Sequence, residues 1–187
     1  MKFGSIILAA GFSHRMGNDK AQLNFRDKKT FLDQLIEQYT VAGVKSIQII
    51  TQSKSITRQH NIDITINKHP DRGRSYSIHI GLQKMKDFDF VFIQNIDNPF
   101  TTKKLIESML NKAENNKALV PFVKGKKGHP ILLSSKIIHS ILYQDEASFD
   151  FKNTISQFEI ELLPWEQANI LANINIPAEY QFWFHRP

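Results

Sequence analysis

Short apolar runs alternate with longer amphipathic stretches along most of this 187-residue chain. A short apolar run between polar residues predicts a strand, and apolar residues three or four positions apart predict a helix. Alternation of the two predicts parallel strands joined by crossover helices. We therefore expect a three-layer α/β/α sandwich with a Rossmann-like, mainly parallel sheet. Strands are predicted at 4–8, 46–51, 90–93 and 119–121, and helices at 30–42, 75–85, 101–112, 136–143 and 178–184.

Composition limits both the number of domains and the chemistry. Hydrophobic residues make up 41% of the chain, which is enough for a buried core, and no linker or repeat divides it. We therefore predict a single domain over residues 1–187. The absence of cysteine excludes disulfides and thiolate nucleophiles, and it fits a reducing compartment. Any catalysis must rest on oxygen, nitrogen or a hard metal ion.

The N-terminal residues lead directly into the first predicted strand, without the pattern of a signal peptide, and no apolar stretch is long enough to cross a bilayer. We expect a cytoplasmic protein with no membrane partner. The net charge of +6 makes an anionic ligand plausible. No extended basic helix with interleaved aromatic residues is found, so a nucleic-acid partner is not expected.

The loop after the first strand carries the strongest functional signal. An apolar run at 6–9 leads to Gly11, and two cations follow at Arg15 and Lys20. Small residues let the backbone approach a ligand, and exposed N–H groups with cations bind phosphate. The spacing of Gly11, Gly17 and Lys20 fits neither the P-loop nor the dinucleotide-binding pattern. An ordinary β-to-α turn with surface cations is the alternative.

This stretch resembles the signature Leu-Ala-Ala/Gly-Gly-x-Ser-x-Arg-Met-Gly-x-x-Lys of the nucleotidyltransferases that build nucleotide forms of molybdopterin. The resemblance implies a sheet of the nucleotide-diphospho-sugar transferase type and a loop that holds a nucleoside triphosphate. It also implies that Arg15 and Lys20 are catalytic and counter the charge that grows toward pyrophosphate. The implied nucleotide-binding residues are Leu8, Ala9, Ala10, Gly11, Ser13, Arg15, Lys20, Arg74 and Ser75.

A second segment places Asp97 just past the carboxyl end of the strand predicted at 90–93, where open α/β sheets bind ligands. Asp97-Asn98-Pro99 resembles the family's Asp-x-Pro element, which implies that Asp97 is a catalytic Mg²⁺ ligand. Magnesium needs further oxygen ligands. Asn173 and Asn175 resemble a late family element that would supply them, although Ile176 replaces its usual threonine. Turn and cap roles are the alternatives.

Two further segments suggest substrate contacts. The stretch 69–82 resembles the Gly-x-Ser-x-Ser loop of the cytidylyltransferase branch, which implies that Arg74 and Ser75 contact the nucleotide; Ser77 fits capping or surface polarity equally well. Residues 128–130 resemble a Gly-His-Pro turn, which implies that His129 contacts the acceptor. A turn residue without chemistry is the alternative for His129.

The resemblance implies Mg²⁺-dependent transfer of CMP to a phosphorylated acceptor such as molybdopterin. GMP is the less favoured alternative for the transferred group. Ala10 and the 74–82 stretch favour CTP, whereas Asn18, Asp19 and the paired asparagines lean toward GTP. Contact with a molybdoenzyme or its chaperone would follow from that acceptor.

The acceptor is the least defined part of the prediction. The cytidylyl branch carries Gly-Asp-x-Gly-Ala-Arg before a late helix, whereas residues 144–149 read Gln-Asp-Glu-Ala-Ser-Phe. Lys127 could replace the missing arginine. A sugar phosphate, alcohol phosphate or phosphonate acceptor, or a nucleotide-binding accessory domain without turnover, are the alternatives.

Overall fold

The computed structural model describes residues 1–11, 15–26, 29–52 and 62–184. In this part of the chain, eight strands form one sheet and two form a small hairpin. The strands are β1 (Phe3–Ala9), β2 (Asn24–Arg26), β3 (Lys29–Thr30), β4 (Ser46–Thr51), β5 (Ile62–Ile66), β6 (Phe90–Asn95), β7 (Lys117–Val123), β8 (Lys126–Lys127), β9 (Ile131–Ser134) and β10 (Glu159–Pro164).

Helices connect the strands on both faces of the sheet. They are α1 (Phe31–Val41), α2 (Gly73–Gln83), α3 (Lys103–Asn111), α4 (Ser135–Leu142), α5 (Phe151–Ile155) and α6 (Pro177–Phe184). Short 3₁₀ turns lie at Lys20–Gln22, Pro70–Arg72 and Ala168–Leu171. None of the described helices combines the length and the apolar character needed to cross a membrane.

The strand order of the large sheet is β10-β7-β9-β6-β1-β4-β5, with β8 paired to β7. The pairs β1–β4, β4–β5, β1–β6 and β7–β10 are parallel. Strand β9 is antiparallel to both of its neighbours, β6 and β7. The prediction of a mainly parallel sheet is confirmed.

Alternating residues of β1 show how the sequence builds three layers. Ile7 and Ala9 belong to a core that includes buried residues of α1 and α3. Ile6 and Leu8 belong to the core on the opposite face, with α2 and α4. Because successive side chains of a strand point to opposite faces, a continuous apolar run fits a strand covered on both sides. The three-layer prediction is confirmed.

The order of the strands creates a switch point between β1 and β6. After β1 the chain adds β4 and then β5 on one side, and it next returns to add β6 on the other side. The carboxyl ends of β1 and β6 therefore lie side by side where the direction of strand addition reverses. Ligands of open α/β sheets bind in the crevice at such a switch point.

The predicted elements are all found, with ends shifted by a few residues. Among the strands that the sequence patterns did not predict are β5 and β10, the two outer strands of the sheet. Each has a half-exposed pattern, with polar residues such as Asp63 in β5 and Glu159 and Glu161 in β10. An edge strand lacks the continuous apolar run that marks a central one, which is the physical reason for the omission.

Candidate active site

A cleft of about 380 Å³ lies at the switch point, over the carboxyl ends of β1 and β6. Three parts of the chain form its walls: the loop after β1, the start of α2 and the turn after β6. The lining residues are Leu8, Ala9, Ala10, Gly11, Asp19, Lys20, Pro70, Gly73, Arg74, Ser77, Asn95, Ile96 and Asp97. The loop after β1 and Asp97 thus line the same cleft.

Lys20 joins the two ends of the chain within this cleft. Its Nζ donates a hydrogen bond to Asn175 Oδ1 at 2.5 Å, and it lies 4.0 Å from Asp97 Oδ2. Asp19 fixes the start of the short 3₁₀ turn that carries Lys20, because its Oδ1 accepts from the N–H of Ala21 at 3.0 Å. A cation and a carboxylate are thus held side by side on rigid turns.

Burial disfavours the ionised forms of Lys20 and Asp97. Desolvation raises the pKa of Asp97, although Lys20 and Arg74 oppose the shift. Desolvation likewise lowers the pKa of Lys20, against the attraction of Asp97 and with the repulsion of Arg15. Both ionised groups would therefore gain from a ligand that brings charge of each sign, such as a polyphosphate with a cation.

Two buried amides hold the turn that carries Asp97. The Gln94 side chain donates to the carbonyls of Asn95 and Asn98, at 2.8 and 3.0 Å, and accepts from Thr101 Oγ1 at 2.7 Å and from Tyr39 Oη at 3.1 Å. Asn98 donates to the carbonyls of Ile170 and Ala172, at 2.7 and 2.8 Å. Sequence reasoning missed both residues, although amides that flank an apolar run were the available signal.

Asp97 has an oxygen that suits a metal ion. Its Oδ1 is buried and has no hydrogen-bond partner among the described residues, and its main-chain carbonyl accepts from the N–H of Ile174 at 2.9 Å. That bond brings the late segment 173–175 beside the Asp97 turn. No group of three or more His, Asp or Glu side chains in the described part of the chain could enclose a metal. The unpartnered carboxylate oxygen of Asp97 is the kind of donor that a hard cation prefers.

The two predicted asparagine ligands differ in their placement. Asn175 lies at the cleft through its contact with Lys20. Asn173 is exposed and lines a separate groove against α6, together with Phe182 and Trp183. Of the two side chains, the structure brings only that of Asn175 next to the lysine–aspartate pair.

At the start of α2, Arg74 and Ser77 line the cleft, whereas Ser75 does not. The Ser75 hydroxyl accepts from the N–H of Phe151 at 3.1 Å, so it anchors the start of α5. The structure therefore places Ser75, which was predicted to contact the nucleotide, outside the lining of the cleft, because a helical step of two residues turns Ser75 and Ser77 to different sides. Ser77 Oγ accepts from Asn67 Nδ2 at 3.0 Å.

His129 lies on the β6 side of the cleft. Its Nε2 is 3.3 Å from Asn95 Nδ2, and its backbone N–H donates to the carbonyl of Ile170 at 3.2 Å. Burial lowers the pKa of His129 to about 4, and the charge of Arg74 adds to the shift. The imidazole is thus neutral near pH 7.

The remaining predicted residues divide into two groups. Leu8, Ala9, Ala10 and Gly11 line the cleft as expected. Gly11 does not adopt a left-handed backbone, whereas Gly17 does, with φ of +75°. Arg15 is exposed and lies outside the lining residues, and Ser13 lies outside the described residues.

The segment that replaces the arginine-bearing loop packs against the start of α2. Glu146 accepts from Arg72 Nη1 at 3.3 Å, and the carbonyl of Gln144 lies 3.3 Å from His79 Nε2. In place of a cation, this segment supplies Glu146, which forms an ion pair with Arg72. Lys127, considered as a replacement, is exposed on the short strand β8.

The fold and the cleft together define the class of this protein. A mixed, mostly parallel sheet whose switch point holds a lysine, an aspartate and a glycine loop is the arrangement of a nucleotidyltransferase with a Rossmann-like fold. Residues 5–150 match the model of the MobA-like NTP transferase domain, and the chain belongs to this family of nucleotidyltransferases.

Two curated relatives illustrate the range of the family. The chain is 27% identical over 164 residues to a probable molybdenum cofactor guanylyltransferase of Natranaerobius thermophilus, covering 85% of this chain and 79% of that protein. It is 30% identical over 115 residues to a 2-C-methyl-D-erythritol 4-phosphate cytidylyltransferase of Fusobacterium nucleatum, covering 56% and 50%.

Among solved structures, Rv0371c from Mycobacterium tuberculosis has the same fold, with a TM-score of 0.84 at 15% identity over 100% of this chain and 98% of that one. A second structure of Rv0371c, a complex with manganese, has a TM-score of 0.80 at 13% identity over 100% of both chains. Nucleotidyltransferases of this fold use divalent metal ions.

Proposed function

We propose that this protein transfers a nucleoside monophosphate from a nucleoside triphosphate to a phosphorylated acceptor of the molybdopterin type. A phosphate oxygen of the acceptor forms a bond to the α-phosphorus, and the bond from that phosphorus to the bridging oxygen breaks, so that pyrophosphate leaves. The observation that carries the proposal is the meeting of Gly11, Lys20 and Asp97 in one cleft at the sheet's switch point.

Charge and alignment are the main tasks of such an enzyme, because both reactants are anions. Lys20 is fixed by Asn175, so its ammonium can stabilise negative charge on the leaving pyrophosphate without first being ordered. Arg74 lines the opposite wall and would contact the polyphosphate from there. Arg15 and Ser13 would complete the loop contacts.

Asp97 and Asn175 are the residues that we propose as ligands of Mg²⁺ or Mn²⁺. The unpartnered Oδ1 of Asp97 supports this assignment, as does the manganese complex of the structural relative. When bound, the ion would supply Lewis-acid stabilisation of phosphate oxygens. Asn173 would contribute only through the main chain of its segment or after a change of rotamer.

For the base we propose guanosine, because the relatives that align over most of their own length are named guanylyltransferases. Cytidine is the second candidate. It is supported by Ala10 in the loop after β1 and by the partial match to a cytidylyltransferase.

The acceptor side of the cleft carries less positive charge than the arginine-bearing segment of the cytidylyltransferase branch implies, because Glu146 forms an ion pair with Arg72. His129 would contact the acceptor as a neutral group, and we expect the reaction to take place in the cytoplasm.

The test is pyrophosphate release by the purified protein with each of the four triphosphates, Mg²⁺ or Mn²⁺, and molybdopterin. Asp97→Asn and Lys20→Met should each lower turnover by about 100-fold or more, by analogy with the loss of a transition-state charge contact. Matched controls are Asp87→Asn and Lys104→Met, which change exposed residues outside the cleft.

The controls should keep wild-type turnover. Unchanged turnover in Asp97→Asn would contradict the assignment of the site. Release of pyrophosphate only with a sugar phosphate or a phosphonate would move the acceptor to another class. Nucleotide binding without any turnover would indicate an accessory nucleotide-binding domain.

A further inference from the structure

Three polar side chains form a continuous chain of contacts across one wall of the cleft. Arg74 Nε donates to Asn95 Oδ1 at 3.2 Å, and Asn95 Nδ2 lies 3.3 Å from His129 Nε2. The three residues come from the start of α2, the end of β6 and the turn before β9. Asn95 is the link that joins the other two.

The chemistry of these groups leaves one arrangement of hydrogen atoms. A guanidinium has only donors, so the Asn95 atom facing Arg74 must be the carbonyl oxygen. The amide nitrogen then faces His129 and can only donate, so Nε2 must accept. A neutral imidazole that accepts through Nε2 carries its hydrogen on Nδ1.

We propose that Asn95 is a positioning residue that holds His129 as its Nδ1–H tautomer and uses this fixed contact to orient Arg74 toward the cleft. His129 in this state is a support for the amide and takes no proton from a substrate through Nε2. Because Arg74 uses Nε for Asn95, its two Nη groups can face the polyphosphate. The ring of Phe151, 5.2 Å from Arg74 Cζ, supports the guanidinium from the side.

One further observation supports the assignment, and a second shows what the tautomer costs. Burial keeps the pKa of His129 far below neutrality, so no second proton competes for Nε2. His129 Nδ1 is buried and has no hydrogen-bond partner among the described residues. An unpartnered buried donor is unfavourable, so the ring needs the Asn95 contact to keep this tautomer.

The first experiment observes the tautomer directly, without substrate or turnover. In a long-range ¹H–¹⁵N spectrum of the wild-type protein, His129 Nε2 should resonate as an unprotonated nitrogen and Nδ1 as a protonated one. The exposed His139 on α4 is the internal reference. A protonated Nε2 in His129 would overturn the proposal, and this result needs no variant to fold.

The second experiment separates positioning from a purely structural role, and it rests on the proposed function. Asn95→Leu keeps a similar volume but removes both contacts, and it should raise KM for the triphosphate by about tenfold, the lower end for a lost hydrogen bond to a charged group. In an Arg74→Met background, Asn95→Leu should leave KM unchanged, because the group that it orients is gone.

An equal loss in both backgrounds would overturn the orienting role, since Asn95 would then act independently of Arg74. The two tests also fail separately. Absence of turnover with every triphosphate would remove the proposed function, whereas the tautomer measured by NMR would still decide whether Asn95 and His129 interact as proposed.

Discussion

Asp97 and Lys20 show how the cleft is prepared for a ligand at the cost of its own stability. Burial raises the pKa of Asp97 and lowers that of Lys20, so each ionised group is less favourable here than in water. Their contact at 4.0 Å offsets only part of this cost. A polyphosphate with a divalent ion would add compensating charge beside both groups, which is why we expect strong stabilisation on binding.

Gly11 is expected to matter for the ligand and not for the fold. A Cβ at this position meets no atom of the described residues within 4 Å, and the backbone lies outside the left-handed region, so Gly11→Ala should change the free energy of unfolding by less than about 0.5 kcal/mol. The added methyl group points into space where Gly11 lines the cleft, and overpacking costs about 1–3 kcal/mol. Calorimetric titration should therefore show a triphosphate Kd raised by about tenfold.

Gly128→Ala is the converse control for Gly11. A Cβ there would lie 2.6 Å from Cδ1 of the fully buried Ile170, so the variant should lose about 1–3 kcal/mol in urea unfolding. Tight triphosphate binding by Gly11→Ala would show that the nucleotide does not approach this backbone.

His129 should make the free energy of unfolding depend on pH. Its pKa in the folded protein is about 4 against an ordinary 6.5, so its contribution is present above pH 6.5 and is lost as pH falls toward 4. From that difference, the wild type should lose up to about 3 kcal/mol more than His129→Gln between pH 7 and pH 4. The measurement is urea unfolding at both pH values. His139→Gln, at an exposed position, should keep the wild-type decline, and an identical decline in His129→Gln would contradict the buried neutral state.

The turn after β6 is held by side-chain contacts that local sequence patterns do not predict. The apolar run at 90–93 predicted the strand, and Asp97 past its end could be proposed as functional from the sequence. The contacts of Gln94 and Asn98 could not be predicted, because they join this turn to Tyr39 and to Ile170, far away along the chain. The pairing of Lys20 with Asn175 spans 155 positions, and only resemblance to a family had placed both at one site.

Asn98 should be essential for the connection between β6 and the late segment. In Asn98→Ala, the buried carbonyls of Ile170 and Ala172 lose their donor, and the free energy of unfolding should fall by about 3 kcal/mol. Hydrogen exchange should accelerate at Ile174, whose N–H bonds to the Asp97 carbonyl. Asn111→Ala, at an exposed residue at the end of α3, is the control and should change stability by less than about 0.5 kcal/mol. Unchanged exchange at Ile174 would show that Asn98 does not hold this segment.

The two cores and the C-terminal helix together fix the geometry of the cleft. Alternation of apolar runs and helices was enough to predict the layers, whereas the edge strands β5 and β10 and the packing of α6 needed the structure. Phe184 lies 5.5 Å from Phe31 and 5.6 Å from Phe100 between ring centroids, so α6 covers the α1 face. This packing carries the preceding Asn175 to Lys20, which explains how a helix remote in sequence completes the site.

Ligand binding should therefore stabilise the whole chain, and the size of the effect should rank the bases. A ligand at 100 times its Kd adds about 2.7 kcal/mol, which for a protein of this length corresponds to a rise in Tm of roughly 5–10 °C. With Mg²⁺ present, GTP should give the larger rise and CTP a smaller one, measured by differential scanning calorimetry at equal concentrations. In Asp97→Asn the Mg²⁺-dependent part of the rise should disappear, whereas Asp87→Asn should keep it. A larger rise with CTP would assign the cleft to cytidine, and equal small rises with all four triphosphates would show that the base is not recognised here.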